Sequence, residues 1–271
     1  MDKVSDNNGA TIDATDIKTL RIEIQRYLPD SDDEPRYEHF DIPYDENWSL
    51  LDALQHIKED VDPTLSYRWS CRMAVCGSCG MVINGKEKLA CETFIRDYYP
   101  GKMRLQPLNN FTIERDLVVD QEDFLAKLEA VKPYIIDAAA ATKPPKPKKQ
   151  QQIAANGEYK QLPKQVAMFS QYSDCINCLL CYSACPQFGL NPDFVGPSAI
   201  ALAHRYNVDS RDYGSDQRLE TLNSKDGVWS CTFVGYCSEV CPKSVDPASA
   251  IQQQKISGLT DWALSKLPGG S

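Results

Sequence analysis

Three things are scarce in this chain: basic charge, histidine and long apolar runs. Acidic residues outnumber basic ones 38 to 29, for a net charge of -9 over 271 residues. A phosphate-backbone partner selects a basic face, and the one basic concentration is a short Lys/Pro segment, which argues against DNA or RNA as a partner. Histidine is limited to His39, His56 and His204. No nucleophile and base stand together and no phosphate-cradling loop is present, so no catalytic residue is marked and the histidines read as structural or surface groups. The longest charge-free stretch of interest, Cys175 to Pro192, has 18 residues. That approaches membrane-spanning length, but four Cys and two Pro make it a ligand-bearing segment, so any membrane association comes through a partner. The opening Met-Asp-Lys-Val-Ser-Asp-Asn-Asn puts acids where a secretion signal needs a basic and then an apolar run, which predicts no export.

What is present is globular: 42% hydrophobic and 25% charged residues, in a length that suits about two domains. Residues 1–17 are polar and aperiodic and read as a disordered extension. From Thr19 to Tyr27, Leu20, Ile22 and Ile24 alternate with polar residues, the pattern of a half-buried strand, and Tyr37 to Pro43 is its expected partner. Ser49 and Asp52 predict a capping box ahead of a short helix with Leu50, Leu51, Leu54 and Ile57 on one face. Strands are expected at Tyr67–Trp69, at Met81 onward with a hairpin turn at Asn84-Gly85, and at Lys102–Leu108. Asp120 is the expected cap of a helix running to Val131.

These elements predict an α+β domain over residues 18–136. The Ala-rich and then Lys/Pro/Gln-rich stretch 137–165 has linker composition. Residues 166–271 predict a mostly α-helical domain, with Pro197 and Pro247 in first-turn positions and Asp246 as a cap.

Eleven cysteines carry the chemistry. Without an export signal, a disulfide framework is disfavoured by a reducing compartment. Cys71-x4-Cys76-x2-Cys79, followed by Cys91, has the spacing of plant-type 2Fe-2S ferredoxins. Gly77 and Gly80 are expected to relieve crowding in that loop. Zinc is the alternative for four thiolates, although its sites more often pair cysteines two residues apart.

Cys175-x2-Cys178-x2-Cys181-x3-Cys185-Pro186 matches the bacterial ferredoxin run, whose fourth cysteine serves the other cluster. A second run, Cys231 to Pro242, repeats it, except that Val234 replaces a cysteine. The rule joins Cys175, Cys178 and Cys181 to Cys241 as a 4Fe-4S set, and Cys185 to Cys231 and Cys237. Valine cannot ligate iron, so the last set predicts a 3Fe-4S cluster, with a 4Fe-4S cluster bearing one open iron as the alternative.

At these motifs the chain from Thr19 to Leu267 resembles the iron-sulfur subunit of the succinate dehydrogenase and fumarate reductase family. The segments Ser-Tyr-Arg-Trp-Ser-Cys71-Arg-Met-Ala-Val-Cys76-Gly-Ser-Cys79-Gly, Ala-Cys185-Pro-Gln-Phe-Gly-Leu-Asn-Pro192 and Asn-Ser-Lys-Asp-Gly-Val-Trp-Ser-Cys231-Thr-Phe-Val-Gly-Tyr-Cys237 carry the likeness, closest to bacterial quinol:fumarate reductases. The resemblance implies a plant-ferredoxin-like β-grasp domain before a bacterial-ferredoxin-like helical one. It also implies electron transfer in anaerobic respiration between menaquinone and a partner subunit carrying covalent FAD, with two small membrane anchors at the cytoplasmic face of the inner membrane. Thr232, Phe233, Gln252 and Lys255 match its quinone-proximal positions. Succinate oxidation in the reverse direction and a free multi-cluster ferredoxin are the competing readings.

Overall fold

Alternating Leu20, Ile22 and Ile24 bury completely against the interior, and this drives strand β3, Thr19–Arg26. The computed structural model describes residues 3–5, 11–13, 18–141 and 158–265. It divides into two units, Met1–Leu108 with Thr112–Val119, and Asn109–Phe111 with Asp120–Ser271.

Within the stretch 1–17 the described residues are two short strands, β1 (Lys3–Ser5) and β2 (Thr11–Asp13), paired antiparallel. The expectation of a disordered extension otherwise lies outside the described residues.

In the first unit β3 pairs antiparallel with β4 (Arg36–Pro43), setting Ile22 opposite Phe40, and parallel with β7 (Lys102–Gln106), setting Ile22 opposite Met103. Strand β5 (Gly80–Ile83) pairs with β7 and, through Asn84-Gly85, with β6 (Lys86–Leu89), giving the order β4-β3-β7-β5-β6. Asn84 and Gly85 both have positive φ, 48° and 77°, as a tight hairpin of this hand requires. Helix α1 (Leu50–His56) starts at the expected capping box: the Asp52 N–H donates to Ser49 Oγ, and the Ser49 N–H to Asp52 Oδ2. Its Leu50, Leu51 and Leu54 are buried, as is Ile57 in the wider turn Ile57–Val61 that continues it.

Tyr67–Trp69 is not a strand. Its neighbourhood is tied instead by single contacts to the small β8 (Ile113–Arg115) and β9 (Val118–Val119) ribbon: the Leu117 N–H donates to Ser66 O and Arg68 Nη1 to Val119 O. Buried Asp116 in the ribbon turn accepts the N–H of Tyr27 and of Ser66 and pairs with Arg26 Nε at 3.1 Å. Arg26, 4% exposed, also pairs with Glu38 and Asp62. One guanidinium thereby fixes the chain that enters the first cysteine loop.

The second unit is helical: α2 (Glu122–Ala130), α3 (Pro163–Ala167), α4 (Ser170–Ser173), α5 (Leu180–Ser183), α6 (Pro186–Leu190), α7 (Pro197–Val208), α8 (Ser215–Leu222), α9 (Tyr236–Glu239) and α10 (Pro247–Ser265). Residues 120–136, assigned from sequence to the first domain, group with this unit. The reason is a long-range polar knot. Arg218, fully buried, pairs with both oxygens of buried Asp212 at 2.7 and 2.8 Å and donates to the carbonyls of Lys132 and Tyr134. It also donates to Asn207 Oδ1. A guanidinium can only donate, so the Asn207 amide faces Gln254 Oε1, and the Gln254 amide faces His204 Nδ1 at 2.7 Å.

The expected cap at Asp120 is displaced: Gln121 precedes α2, and Asp120 accepts only the Glu122 N–H. Asp246 does cap α10, accepting the Ser249 N–H at 2.9 Å. Of the linker 137–165, residues 142–157 lie outside the described ones, and Pro163 already begins α3.

Candidate metal centres

The first cysteine loop turns its backbone amides onto its own thiols. Cys71 Sγ accepts from the N–H groups of Met73, Val75 and Cys76 at 3.3–3.4 Å, and Cys91 Sγ accepts from Ala74 at 3.3 Å. Cys76 Sγ accepts from Cys71, and Cys79 Sγ from Cys91. The Cys71, Cys76, Cys79 and Cys91 thiols are therefore laced into one amide-lined nest. Those amides lower the Cys71 thiol to about 6. Burial pushes Cys79 up to about 12. A bound cation would favour the thiolate at every position.

The curl requires left-handed backbone at Arg72 (φ 59°), Ala74 (φ 55°) and Gly77 (φ 76°). Gly77 was expected to supply such freedom, but Gly80 is an ordinary first strand residue. Arg72 and Ala74 accept left-handed geometry despite its cost for residues with a Cβ, and their side chains give no signal of it in the sequence.

The two later cysteine runs are copies in backbone as well as in residue type. Asn177 and Leu179 have φ of 53° and 66°; at the same places in the second run, Phe233 and Gly235 have φ of 61° and 92°. Each left-handed residue at the fifth place then begins a short helix, α5 after Leu179 and α9 after Gly235. Cys175, Cys178 and Cys181 come together with Cys241 around one small recess. Cys185 comes together with Cys231 and Cys237 around another, where Val234, Thr232 and Phe233 also line the wall. Each recess thus draws thiols from both runs. Burial, and then the neighbouring sulfurs, raise Cys178 to about 11; burial also raises Cys237 to about 12. Among the described residues no group of three or more His, Cys, Asp or Glu side chains closes on a single-ion position.

Supporting residues hold these walls. Asn110 Nδ2 donates to the carbonyls of Tyr182, Ser183 and Cys185, bracing the turn between Cys181 and Cys185. Gly196, at φ 94°, lies where any Cβ would come within 2.0 Å of the buried Tyr182 ring. Neither residue was marked by the cysteine spacing.

Of the quinone-proximal candidates, Thr232 and Phe233 line the second recess, and Lys255 Nζ donates to Cys231 O at 2.7 Å. Gln252 lies outside that wall, and its buried Nε2 has no hydrogen-bond partner among the described residues. His204 is buried between Gln254 and an edge-on Tyr172 ring and takes no part in a thiol site. Among the described residues no helix is long and apolar enough to cross a membrane.

Comparison with known proteins bears on these sites. Residues 21–126 match the family described as a 2Fe-2S iron-sulfur cluster binding domain, and residues 167–242 match the one described as a 4Fe-4S dicluster domain. The chain is 58% identical to the fumarate reductase iron-sulfur subunit of Haemophilus influenzae, across 92% of this chain and 96% of that protein. It is 56% identical to that of Escherichia coli O6:H1, across 93% and 98%. A chain of the Mycobacterium smegmatis Sdh1 complex in the apo form shares the fold, with a TM-score of 0.73 at 23% identity over 90% of this chain and 97% of that one. With a 2Fe-2S ferredoxin-like sheet domain followed by a helical dicluster domain, the chain belongs to the fumarate reductase iron-sulfur subunit family of electron-transfer proteins.

Proposed function

We propose that this chain is the non-catalytic conductor of a membrane-bound quinol:fumarate reductase, carrying electrons from menaquinol to a partner subunit whose FAD reduces fumarate to succinate. When bound, iron-sulfur clusters supply the redox centres. Cys71, Cys76, Cys79 and Cys91 would hold 2Fe-2S; Cys175, Cys178, Cys181 and Cys241 would hold 4Fe-4S; Cys185, Cys231 and Cys237 would hold 3Fe-4S. The residues fit these groups. Four thiols share the amide-lined nest, four surround one recess, and three with an apolar fourth corner surround the other.

The observation that carries the reading is the exchange of cysteines between the two runs, with Val234 where a fourth ligand would stand. Partners are supported by apolar side chains left uncovered beside the sites. Trp69, Met73 and Val75, the last two 70% and 55% exposed, surround the first loop and suit the flavoprotein subunit. Phe233, Tyr236 and, on α10, Ile256 and Leu259 are exposed near the three-cysteine recess or its helix and suit two small membrane anchors at the cytoplasmic face of the inner membrane. Lys255 and Thr232 beside Cys231 support a quinone at that end.

Succinate oxidation uses the same parts in reverse, and cluster potentials decide between the two. EPR-monitored redox titration of the purified complex tests the reading: three distinct cluster signals are expected, with a three-iron signal in the oxidised state. Zinc in place of iron and sulfide, or full activity of the chain free of any flavoprotein, would refute it.

A further inference from the structure

The recess formed by Cys175, Cys178, Cys181 and Cys241 contains one polar side chain that packing does not explain. Ser198, the second residue of α7, is 3% exposed, and its Oγ is sealed from solvent without a hydrogen-bond partner among the described residues. It lines the recess together with apolar Ile176, Leu180, Ala201 and Val245, and with Lys243. A buried hydroxyl normally finds a partner, and leaving one unpaired is costly. A helical serine usually gives its hydrogen to the carbonyl four residues back, but four residues before Ser198 is Phe194, ahead of the helix, and no such bond forms. Alanine would satisfy the helix at least as well.

Two groups come near the hydroxyl, the Tyr182 ring hydroxyl, which already donates to Val195 O, and the Cys181 sulfur, and it meets neither in a full hydrogen bond. The recess wall itself brings Ser198 beside the four sulfurs: its side chain lines the same cavity as Cys175, Cys178, Cys181 and Cys241.

We propose that Ser198 is a positioning and tuning residue whose O–H donates to a sulfur of the cluster held in this recess, raising that cluster's reduction potential. The proposal rests on the four-cysteine ligand set given above. A donor to sulfur interacts more strongly with the more negative, reduced form, and hydrogen bonds to sulfur are among the factors that set cluster potentials. The local consequence is a four-iron centre that accepts an electron more readily than its thiolates and the rest of its walls, Lys243 included, would allow without the hydroxyl.

The test is redox titration of the assembled complex by EPR, comparing wild type with Ser198→Ala and Ser198→Thr. Poised at the wild-type midpoint of the four-iron cluster, the Ala variant is expected to show a reduced-to-oxidised ratio about tenfold lower, equivalent to 59 mV for a one-electron couple. The 2Fe-2S and 3Fe-4S midpoints should stay in place, and Thr, which keeps the hydroxyl, should restore the four-iron value. An unchanged midpoint in Ser198→Ala would overturn the proposal. So would an equal shift at all three clusters, or a Thr variant that behaves as Ala does. Absence of any four-iron signal in the wild type would instead overturn the ligand set on which the proposal stands.

Discussion

Arg218→Met removes the guanidinium that knots residues 132–136 to α8 while keeping an unbranched apolar stem. The loss can be counted in bonds: two to Asp212, one each to the carbonyls of Lys132 and Tyr134, and one to Asn207. Asp212 is left fully buried, with only the N–H groups of Ile136 and Gly214 donating to it. Breaking a buried ion pair from one side costs about 3–5 kcal/mol, because the other charge remains uncompensated. At about 2–4 °C per kcal/mol for a unit of this size, the unfolding midpoint should fall by about 6–20 °C. Differential scanning calorimetry of the cluster-loaded complex measures it, and limited proteolysis should show new cleavage near residues 131–137. Arg218→Met combined with Asp212→Asn removes both charges and should recover a substantial part of the loss. If the double variant is no better than the single, stranded charge is not the cause and the reasoning fails.

Val234→Cys restores the fourth thiol of the three-cysteine recess, so a fourth iron should bind and the oxidised-state three-iron EPR signal should disappear; its survival would mean that more than the missing thiolate keeps the corner vacant. Gly196→Ala should block formation of the helical unit, because the added Cβ meets the Tyr182 ring at 2.0 Å in a left-handed backbone; normal iron content in the purified variant would contradict that. Asn110→Ala removes the donor to three carbonyls of the Cys181–Cys185 turn and should cost about 1–3 kcal/mol, read as a lower thermal midpoint with faster cluster loss. His204 is buried and neutral, its value lowered by burial to about 4 from 6.5. Its contribution to stability is therefore full above pH 6.5 and is lost as pH falls toward 4, by about 3 kcal/mol over that window. His204→Phe should show a correspondingly flatter decline in urea midpoint between pH 7 and pH 5, and parallel curves would reject the assignment.

Much of this was legible in the residues. The alternation at Leu20, Ile22 and Ile24, the Ser49/Asp52 box and the Asn84-Gly85 turn are local signals with local outcomes, and each led to the right element. The cysteine spacing, through one rule of exchange, anticipated which thiols share a recess. What was not legible depended on distant partners. Residues 120–136 join the helical unit because Arg218 waits about eighty positions later, and nothing within that stretch announces it. Tyr67–Trp69 has strand-forming residues, but it pairs with neither edge strand of the sheet, β4 or β6, and Arg68 instead ties it to Val119 by a side chain. Left-handed Arg72 and Ala74 are imposed by the need to aim amides at sulfur, a demand that overrides residue preference.

The exchange of cysteines between the two recesses has a consequence for how the helical unit is made. Cys241 closes a site begun at Cys175, and Cys185 waits for Cys231, so each site spans a long loop and the two loops overlap. Closing either one removes most of the chain entropy that the other must overcome. Assembly should then be a both-or-neither event: a polypeptide ending before residue 231 would leave two half-built centres and no finished one, so maturation of this unit must wait for nearly the whole chain.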